Sequence, residues 1–338
     1  MERWGGSEKK GGRIKASLRQ PGLIEAISAT VADHTAGSPV DPSILWTNRS
    51  PRAIAAEVTS AGFEVGTDTV RTILTKDLGL SVRQAVKDEA TSDFPQRDEQ
   101  FKHIGRLRKT FEREGSPVLS IDTKQKELLG NFFRAGGAYT NGQVHVLDHD
   151  FATHGQGRMV PYGVYDVARN EGLMLLSVGP DTSALACDAI WRWWQRLGKR
   201  QYAGAKRLLL LCDCGGSNGY RQSLFKEELK RLAEDLDLSI RVAHYPPGCS
   251  KYNPIEHQMF CHVSRALQGV VLKSVDVAKQ FIARTTTATG LRVVAEVSQR
   301  YYQKGLKAEA EFVATMPIRF HHFLPALNYT AHPQPMFN

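Results

Sequence analysis

The feature of this sequence that most limits its possible folds is the run RLLLLC at residues 207–212. Consecutive apolar residues of a strand face alternate sides, so the run predicts a strand that is buried on both faces. Such a strand belongs to a sheet that helices cover on both sides. The run ends at Asp213 and leads into GGSNG at 215–219, which predicts a turn at its carboxyl end.

The segments around this run give the order of the remaining elements. Strands are predicted at 117–122, 142–147, 160–167, 172–178 and 240–244, and helices at 181–197, 219–236 and 254–267. The sheet therefore begins with antiparallel strands and finishes with parallel ones. This order predicts a mixed α/β sheet flanked by helices, and the ribonuclease-H-like fold is prominent among the folds that share it.

Three acidic residues fall at the ends of these elements. Asp122 ends the first strand, Asp213 follows the apolar run, and Glu256 opens the last helix. Neighbouring strands would place Asp122 and Asp213 side by side, and the helix could lay Glu256 next to them. Clustered carboxylates repel one another unless a cation lies between them, and Mg²⁺ prefers oxygen ligands. The pattern therefore predicts a site for a pair of divalent ions, which together can activate an attacking oxygen and stabilise a leaving one.

Each of these acids also has a purely structural explanation. Asp122 could be a turn residue, and Asp213 could form an Asx-turn with the glycines that follow it. Glu256 lies three residues after Asn253, with Pro254 between them, which is also the pattern of a capping box. The functional hypothesis depends on all three acids falling at the expected places of one fold.

The N-terminal part has a different pattern, because residues 50–79 predict two short helices joined by a tight turn. Ser50 is expected to cap the first helix and Thr67 the second. This is the helix-turn-helix pattern, whose second helix enters the major groove of DNA. Arg71 and Lys76 lie on the polar face of the second helix and are candidate DNA contacts.

These patterns divide the chain into five predicted segments. They are a poorly defined N-terminal segment at 1–40, an all-α helix-turn-helix region at 41–90, a linker helix at 91–115, a ribonuclease-H-like catalytic core at 116–290 and a C-terminal extension at 291–338.

The charge of the chain favours a polyanionic partner, since the net charge is +9 and the pI about 9.3. Between Ala189 and Cys212 there are six Lys or Arg residues and no acid. This stretch is either a solvated helix end and loop or a strip that contacts DNA phosphates. The candidate contacts in it are Arg192, Arg196, Lys199 and Arg200.

The sequence predicts a cytoplasmic, nucleoid-associated protein. It has neither an apolar stretch long enough for a membrane span nor a secretory signal. Five cysteines, an odd number, do not suggest a disulfide framework. The cysteine and histidine spacing lacks a CxxC pair, which argues against zinc.

Several segments together resemble one known family. They are SIDTKQKELLGNF, HDF at 149–151, PYGVYDVARNEG, WRWW at 191–194, LLCDCGGSNG, HYPPGCSKYNPIEH and TTTATGL. These segments are similar to the ISAzo-thirteen-like bacterial insertion-sequence transposases, a group of DDE transposases with distant likeness to the mariner-like group. The resemblance runs from about Leu45 to Tyr329, and Cys214 stands where relatives often have glycine.

The resemblance implies a DNA transposase whose carboxylate triad is Asp122, Asp213 and Glu256. It implies two Mg²⁺ or Mn²⁺ ions, cleavage at the terminal inverted repeats, and transfer of the freed 3′-OH strand to target DNA. A homo-oligomer on double-stranded DNA is also expected, and Lys251 and Asn253 would contact phosphates unless they serve only as loop residues. The alternatives are a catalytically inactive, transposase-derived DNA-binding protein and another ribonuclease-H-like nuclease.

Overall fold

This computed structural model describes residues 15–32, 35–37, 45–83, 94–149 and 151–333. The chain divides into two compact units, residues 1–88 and 89–338. Each unit is described by itself below. Within the described residues, no helix is both long enough and apolar enough to cross a membrane.

The first unit is built mainly of short helices. Its helices are α1 (Ala16–Arg19), α2 (Leu23–Ala32), α3 (Pro51–Ser60) and α4 (Thr67–Lys76), and strands β1 (Thr35–Gly37) and β2 (Leu45–Thr47) pair antiparallel. Apolar side chains of α2, α3 and α4 form its core, since Ile27, Ile54 and Val70 are fully buried. The helical pair α3–α4 thus follows the pattern that the sequence predicts.

The two predicted helix caps of this unit have different outcomes. Ser50 caps α3 as expected, because its hydroxyl accepts a hydrogen bond from the Ala53 amide at 3.1 Å. The cap predicted at Thr67 is wrong, since Thr67 is already the first residue of α4. Gly66 occupies the cap position and contributes no side-chain bond.

The second unit is organised around one large sheet. Its strands are β3 (Val118–Thr123), β4 (Glu127–Leu129), β5 (Gly157–Asp166), β6 (Glu171–Val178), β7 (Arg207–Cys212), β8 (Ser239–His244), β9 (Arg292–Val297), β10 (Arg319–Phe320) and β11 (Asn328–Ala331). They lie in the order β10-β11-β8-β7-β3-β5-β6-β9, and β4 pairs with β5. Its helices are α5 (Arg97–Arg113), α6 (Ser183–Trp193), α7 (Lys199–Gln201), α8 (Ser223–Leu236), α9 (Cys261–Ala266), α10 (Val275–Ile282) and α11 (Ala310–Thr315).

The five central strands have the ribonuclease-H-like topology that the sequence predicts. Numbered along the chain, β3, β5, β6, β7 and β8 lie in the order 3-2-1-4-5. The second strand, β5, is antiparallel to its neighbours, whereas β3, β7 and β8 are parallel. This arrangement is the antiparallel start and parallel finish expected from the order of elements.

Helices cover both faces of the sheet, as the apolar run 207–212 requires. On one face, Leu208 and Leu210 join the core that includes residues of α6 and α8. On the other face, Leu209 and Leu211 pack with residues of α5. Alternate side chains of β7 therefore enter two different cores, and all residues from Leu208 to Cys212 are buried.

Three parts of the second unit differ from the sequence-based expectation. The strand predicted at 142–147 is wrong, because the structure has no strand among residues 141–149, and β4 pairs with β5 instead. Helix α5, expected in a linker, packs on the sheet through Ile104 and Phe111. The segment expected as a C-terminal extension adds β9 beside β6 and β11 beside β8.

Candidate active site at the carboxyl ends of the central strands

Asp122 and Asp213 lie side by side at the carboxyl ends of two neighbouring parallel strands. Ser120 of β3 is in register with Leu211 of β7, and the two aspartates each follow two residues later. Because side chains alternate along a strand, Asp122 points to the same face as Ser120. The predicted juxtaposition of these two acids is present in the fold.

A buried hydrogen-bond network connects the segment before Glu256 to the strand that carries Asp122. Ser120 Oγ donates to Asn253 Oδ1 at 2.5 Å, and Asn253 Nδ2 donates to the Ile121 carbonyl at 3.0 Å. The backbone amide of Ile255 donates to Ser120 Oγ at 2.9 Å. Ser120 and Asn253 are fully buried, so the network lies inside the fold. It fixes the start of the Glu256 helix against β3.

Glu256 begins a π-helical turn, Glu256–Phe260, that continues into α9. The turn lies close to β5 because Gly163, the partner of Asp122 in the sheet, has no side chain. A Cβ at Gly163 would lie 2.5 Å from Phe260 Cε1 and 2.7 Å from Ile255 Cδ1. This close approach brings the helix with Glu256 next to the strand position that pairs with Asp122.

The three carboxyl groups influence one another electrostatically. Burial and then the charge of Asp213 raise the pKa of Asp122 to about 8, against the hydrogen bond from the Thr123 amide. Burial also raises the pKa of Asp213, and the nearby charge of Glu256 adds to the effect. The pKa of Glu256 is raised by burial, while the charges of His257 and Lys124 oppose this. The acids are therefore close enough to repel one another when ionised.

The donor atoms at this edge fit a hard divalent cation. Carboxylate oxygens are the ligands that Mg²⁺ and Mn²⁺ prefer, and a cation would relieve the repulsion that raises the pKa of Asp122. Among the described residues, no three Asp, Glu, His or Cys side chains are already close enough together to hold one metal ion. Ion binding would therefore draw the carboxylates closer than they stand.

A fourth acid, Asp181, lies at the same edge and was missed by the sequence analysis. Thr123 Oγ1 donates a hydrogen bond to Asp181 Oδ1 at 3.2 Å. The charge of Asp181 contributes to the raised pKa of both Asp122 and Asp213. The sequence holds a weaker signal for it, because Asp181 comes three residues after the strand 171–178, whereas Asp213 comes directly after 207–212.

Asp122 and Asp181 share a cleft of about 450 Å³ that also contains basic residues. Lys126 and Arg158 line the cleft and are exposed. No acidic partner is found for either among the residues that the structure describes. The cleft thus combines carboxylates with cations that are free to meet phosphate groups.

The predicted phosphate-binding strip is largely occupied by ion pairs within the protein. Arg192 bonds Asp188 and Glu296, both at 3.1 Å, and Arg196 also bonds Glu296. Lys199 and Arg200 are exposed, and among the described residues no acid pairs with them. Fewer cations are therefore available to DNA than the sequence suggests. The sequence gives no sign of this, because Glu296, which pairs with both arginines, lies about a hundred residues away from them.

The two candidates that precede Glu256 lie in different environments. Lys251 is exposed, with its ammonium 5.1 Å from the centroid of the Tyr252 ring. Asn253 is fully buried, and its amide is engaged by Ser120 and Ile121. The predicted phosphate contact of Asn253 is wrong, because its buried side chain has no surface to offer DNA.

In the first unit, both predicted DNA contacts lie on the exposed side of α4. Arg71 donates to Asp68 Oδ1 at 2.6 Å, and its side chain remains 62% exposed. Lys76, in the last turn of α4, is exposed as well. Both side chains are therefore placed as the helix-turn-helix hypothesis requires.

Fold and site together define a chain of the ribonuclease-H-like class with acids at the ends of its first and fourth core strands. Within that class, the chain belongs to the family described as Rhodopirellula transposase DDE domain, which matches residues 26–333. The protein is thus a transposase, and the family resemblance found in the sequence is confirmed. No curated protein matches the chain.

Several solved structures of the Mos1 transposase match this chain at low sequence identity. They include the Mos1 transposase paired-end complex with left transposon end, at 13% identity and a TM-score of 0.40, covering 82% of this chain and 73% of that one. The pre-cleavage Mos1 transpososome has 12% identity and a TM-score of 0.42, with coverage of 82% and 73%. The Mos1 mariner paired-end complex with Mn has 12% identity and a TM-score of 0.41, with coverage of 83% and 73%.

Proposed function

We propose that this transposase cuts DNA at the ends of its element and joins the freed 3′-OH to target DNA, with Asp122, Asp213 and Glu256 as the catalytic acids. The observation that carries the proposal is the register of β3 and β7, which puts Asp122 and Asp213 level at one edge of the sheet. The Asn253 network then holds the Glu256 helix at that edge.

The same three acids would hold the divalent ions, either Mg²⁺ or Mn²⁺. Bound ions of this kind activate an attacking oxygen and stabilise a leaving one. The family and the donor set support this cofactor class. Asp122 is the best candidate for a shared ligand, because both other acids contribute to its raised pKa.

The reaction consists of two successive phosphoryl transfers. In the first, water attacks a phosphodiester at the element end, and the bond from phosphorus to the 3′ oxygen breaks to leave a 3′-OH. In the second, this hydroxyl attacks a target phosphodiester and displaces its 3′ oxygen. The protein orients both attacks, and Lys126 and Arg158 beside Asp122 are placed to meet backbone phosphates.

Element ends would be recognised by the first unit, with Arg71 and Lys76 of α4 toward the DNA. The exposed cations Lys199, Arg200 and Lys251 would add phosphate contacts in the second unit. A homo-oligomer on double-stranded DNA would bring two ends together. The net charge of +9 supports a DNA partner.

The decisive experiment is end cleavage by Asp122→Asn, Asp213→Asn and Glu256→Gln proteins with Mg²⁺ or Mn²⁺. We expect each to lose at least about a hundredfold in rate, since even outer-shell partners of a metal are worth 10–100-fold. End binding should persist. Asp276→Asn is a matched control, because Asp276 is an exposed acid of α10 that lines neither cavity beside the three acids.

Cleavage at the wild-type rate by a pure Asp213→Asn protein would disprove the assignment of these acids as catalytic residues. If the wild-type protein binds element ends but does not cut them with either ion, the alternative of an inactive, transposase-derived DNA-binding protein is favoured. One observation favours testing this alternative: among the described residues, no three side chains are already close enough together to hold one ion.

A further inference from the structure

A pocket of about 580 Å³ has Asp213 in its wall. The rest of the wall comes from the glycine-rich turn after β7, from Tyr220 and Arg221 before α8, and from Pro246 and Pro247 after β8. Gly216 lines both this pocket and the cleft that contains Asp122 and Asp181. The two cavities therefore lie next to each other at Gly216, with Asp213 in the wall of one and Asp122 in the wall of the other.

The lining of the pocket suits a nucleobase with its phosphate. The guanidinium carbon of Arg221 lies 5.0 Å from the centroid of the Tyr220 ring. Arg221 is exposed, and none of the described acids is paired with it. A tyrosine and arginine in this arrangement offer an aromatic surface and a positive charge together, the combination that commonly binds unpaired nucleotides.

Tyr220 is held in place by buried residues behind it. Lys226 Nζ donates a hydrogen bond to the Tyr220 carbonyl. The Tyr220 ring meets the ring of His244 in an edge arrangement, with the centroids 6.2 Å apart. His244 is fully buried, and its Nδ1 donates to the Asp213 carbonyl at 2.6 Å. One histidine thus supports both the Tyr220 ring and the Asp213 backbone, so the ring loses little freedom when a ligand binds.

We propose that this pocket binds the nucleotide next to the scissile phosphate, with its base stacked on the Tyr220–Arg221 pair and its phosphate near the Arg221 guanidinium. The proposal rests on the proposed function, because it assigns Asp213 to the reacting centre. Pro246 and Pro247 supply the apolar part of the lining. A base reaches such a pocket only after leaving its stack, which is easiest at a strand end or a nick.

The first test does not depend on cleavage. Full-length protein is bound to end duplexes that carry 5-iododeoxyuridine at single positions across the junction between repeat and flank, and is then irradiated. We expect a crosslink to Tyr220 from a nucleotide at the cleavage junction. Tyr220→Phe, which keeps the ring, should crosslink as well, whereas Tyr220→Ala should not. Tyr301→Ala is the matched control, since Tyr301 is 81% exposed and lies outside the pocket.

The second test uses the rate of end cleavage on duplexes that lack one base beside the scissile phosphate. With one of the two neighbouring bases removed, the wild-type rate should fall about 5- to 150-fold, the range expected when one stacking interaction is removed. Tyr220→Ala should be slowed similarly on the intact duplex and lose little more on the abasic one. The crosslink to wild-type Tyr220 needs no variant, so the pocket can be tested even if Tyr220→Ala does not fold.

The proposal is overturned if iododeoxyuridine at every junction position leaves Tyr220 unmodified. It is also overturned if a folded Tyr220→Ala protein cuts the intact end at the wild-type rate. A crosslink to Tyr220 without any cleavage supports the pocket and counts against the catalytic function instead, so the two failures are distinguishable.

Discussion

The side-chain amide of Asn253 donates to the backbone carbonyl of Ile121 at 3.0 Å, one residue before Asp122. The loop that leads to Glu256 is therefore bonded directly to the strand that carries Asp122, the first of the proposed catalytic acids. Residues more than a hundred positions apart in the chain are thereby kept in one geometry. Small changes in this contact should affect the reaction more than they affect DNA binding.

Asn253→Ala tests this contact. The substitution removes the acceptor of the buried Ser120 hydroxyl and a donor to the Ile121 carbonyl, and the loss of such partners typically destabilises a protein by about 1–3 kcal/mol. We expect end cleavage to fall about 10–100-fold, while end binding stays unchanged. Urea unfolding and cleavage at a temperature where the variant is folded measure the two effects. Wild-type cleavage by folded Asn253→Ala would contradict the positioning role.

Gly163→Ala should displace the helix that carries Glu256. The added methyl would lie 2.5 Å from Phe260 Cε1 and 2.7 Å from Ile255 Cδ1, so these buried side chains, or the helix that carries them, must shift. Overpacking of this kind costs about 1–3 kcal/mol, and we expect slower cleavage as well. Gly105→Ala in α5 is the control, because its methyl would meet nothing within 4 Å and alanine favours a helix. Equal cleavage by both variants would argue against a precise helix position.

The stability of the metal-free protein should fall as the pH rises above neutrality. The pKa of Asp122 is raised from an ordinary value of 3.8 to about 8, so the folded state holds its proton more tightly than the unfolded state. The resulting stabilisation is complete at low pH and is lost as the pH rises through 8. Between about pH 6.5 and pH 8.5 we expect the Tm to fall by a few degrees.

Asp122→Asn should flatten this pH dependence, and Mg²⁺ or Mn²⁺ at about pH 8.5 should raise the wild-type Tm. Two groups have the opposite effect at the limits of this pH range. His244, whose pKa of about 4 lies below the ordinary 6.5, acts mainly below pH 6.5, and Lys226, whose pKa of about 8 lies below the ordinary 10.5, acts mainly above pH 8. A wild-type Tm that rises across this pH range without added metal would refute the prediction.

Arg71→Ala and Lys76→Ala in the full-length protein should weaken binding to element ends. If either residue binds a phosphate, its removal should reduce the dependence of affinity on salt by about 0.9 in log–log slope, whereas removal of a base-reading side chain would weaken binding to the repeat sequence specifically. Arg52→Ala is the control, since Arg52 is exposed on α3. Unchanged end affinity at fixed salt for both variants would eliminate α4 as the recognition helix.

Lys199→Ala with Arg200→Ala should reduce binding to DNA of any sequence, because these cations are exposed and available. We expect the salt slope to fall by up to about 2. Arg192→Ala should instead lower the Tm with little change in the slope, since Arg192 is bonded to Asp188 and Glu296. A larger drop in DNA affinity for Arg192→Ala than for the double variant would reverse these assignments.

Local sequence patterns were sufficient to predict elements whose structure depends on short stretches of chain. The apolar run 207–212 predicts a strand buried on both faces, and the sheet topology follows from the order of strands and helices. The segment 142–147 failed although Val144 and Val146 alternate with polar residues, because its residues do not pair with a neighbouring strand. Whether a strand forms depends on its partner as much as on its own composition.

Interactions between distant residues were beyond the reach of sequence patterns. Glu296 neutralises Arg192 and Arg196 from about a hundred residues away, so a run without local acids resembled a free cationic strip. Asn253 was predicted to contact a phosphate or to be a loop residue, because its partners belong to β3, far from it in the sequence. Asp181 was not predicted as a site residue although it follows a strand, because the carboxylate triad implied by the family resemblance was already complete with three other acids.

The segment 291–338 closes the sheet on both sides, because β9 lies against β6 and β11 lies against β8. A transposase gene accumulates nonsense and frameshift mutations once selection relaxes. This arrangement makes the fold sensitive to the loss of residues 291–338. A stop codon near position 290 would leave every proposed catalytic acid encoded. It would nevertheless remove these strands and leave β6 and β8 as exposed edge strands with unpaired backbone groups. Such a remnant should aggregate rather than persist as a dominant-negative competitor for element ends.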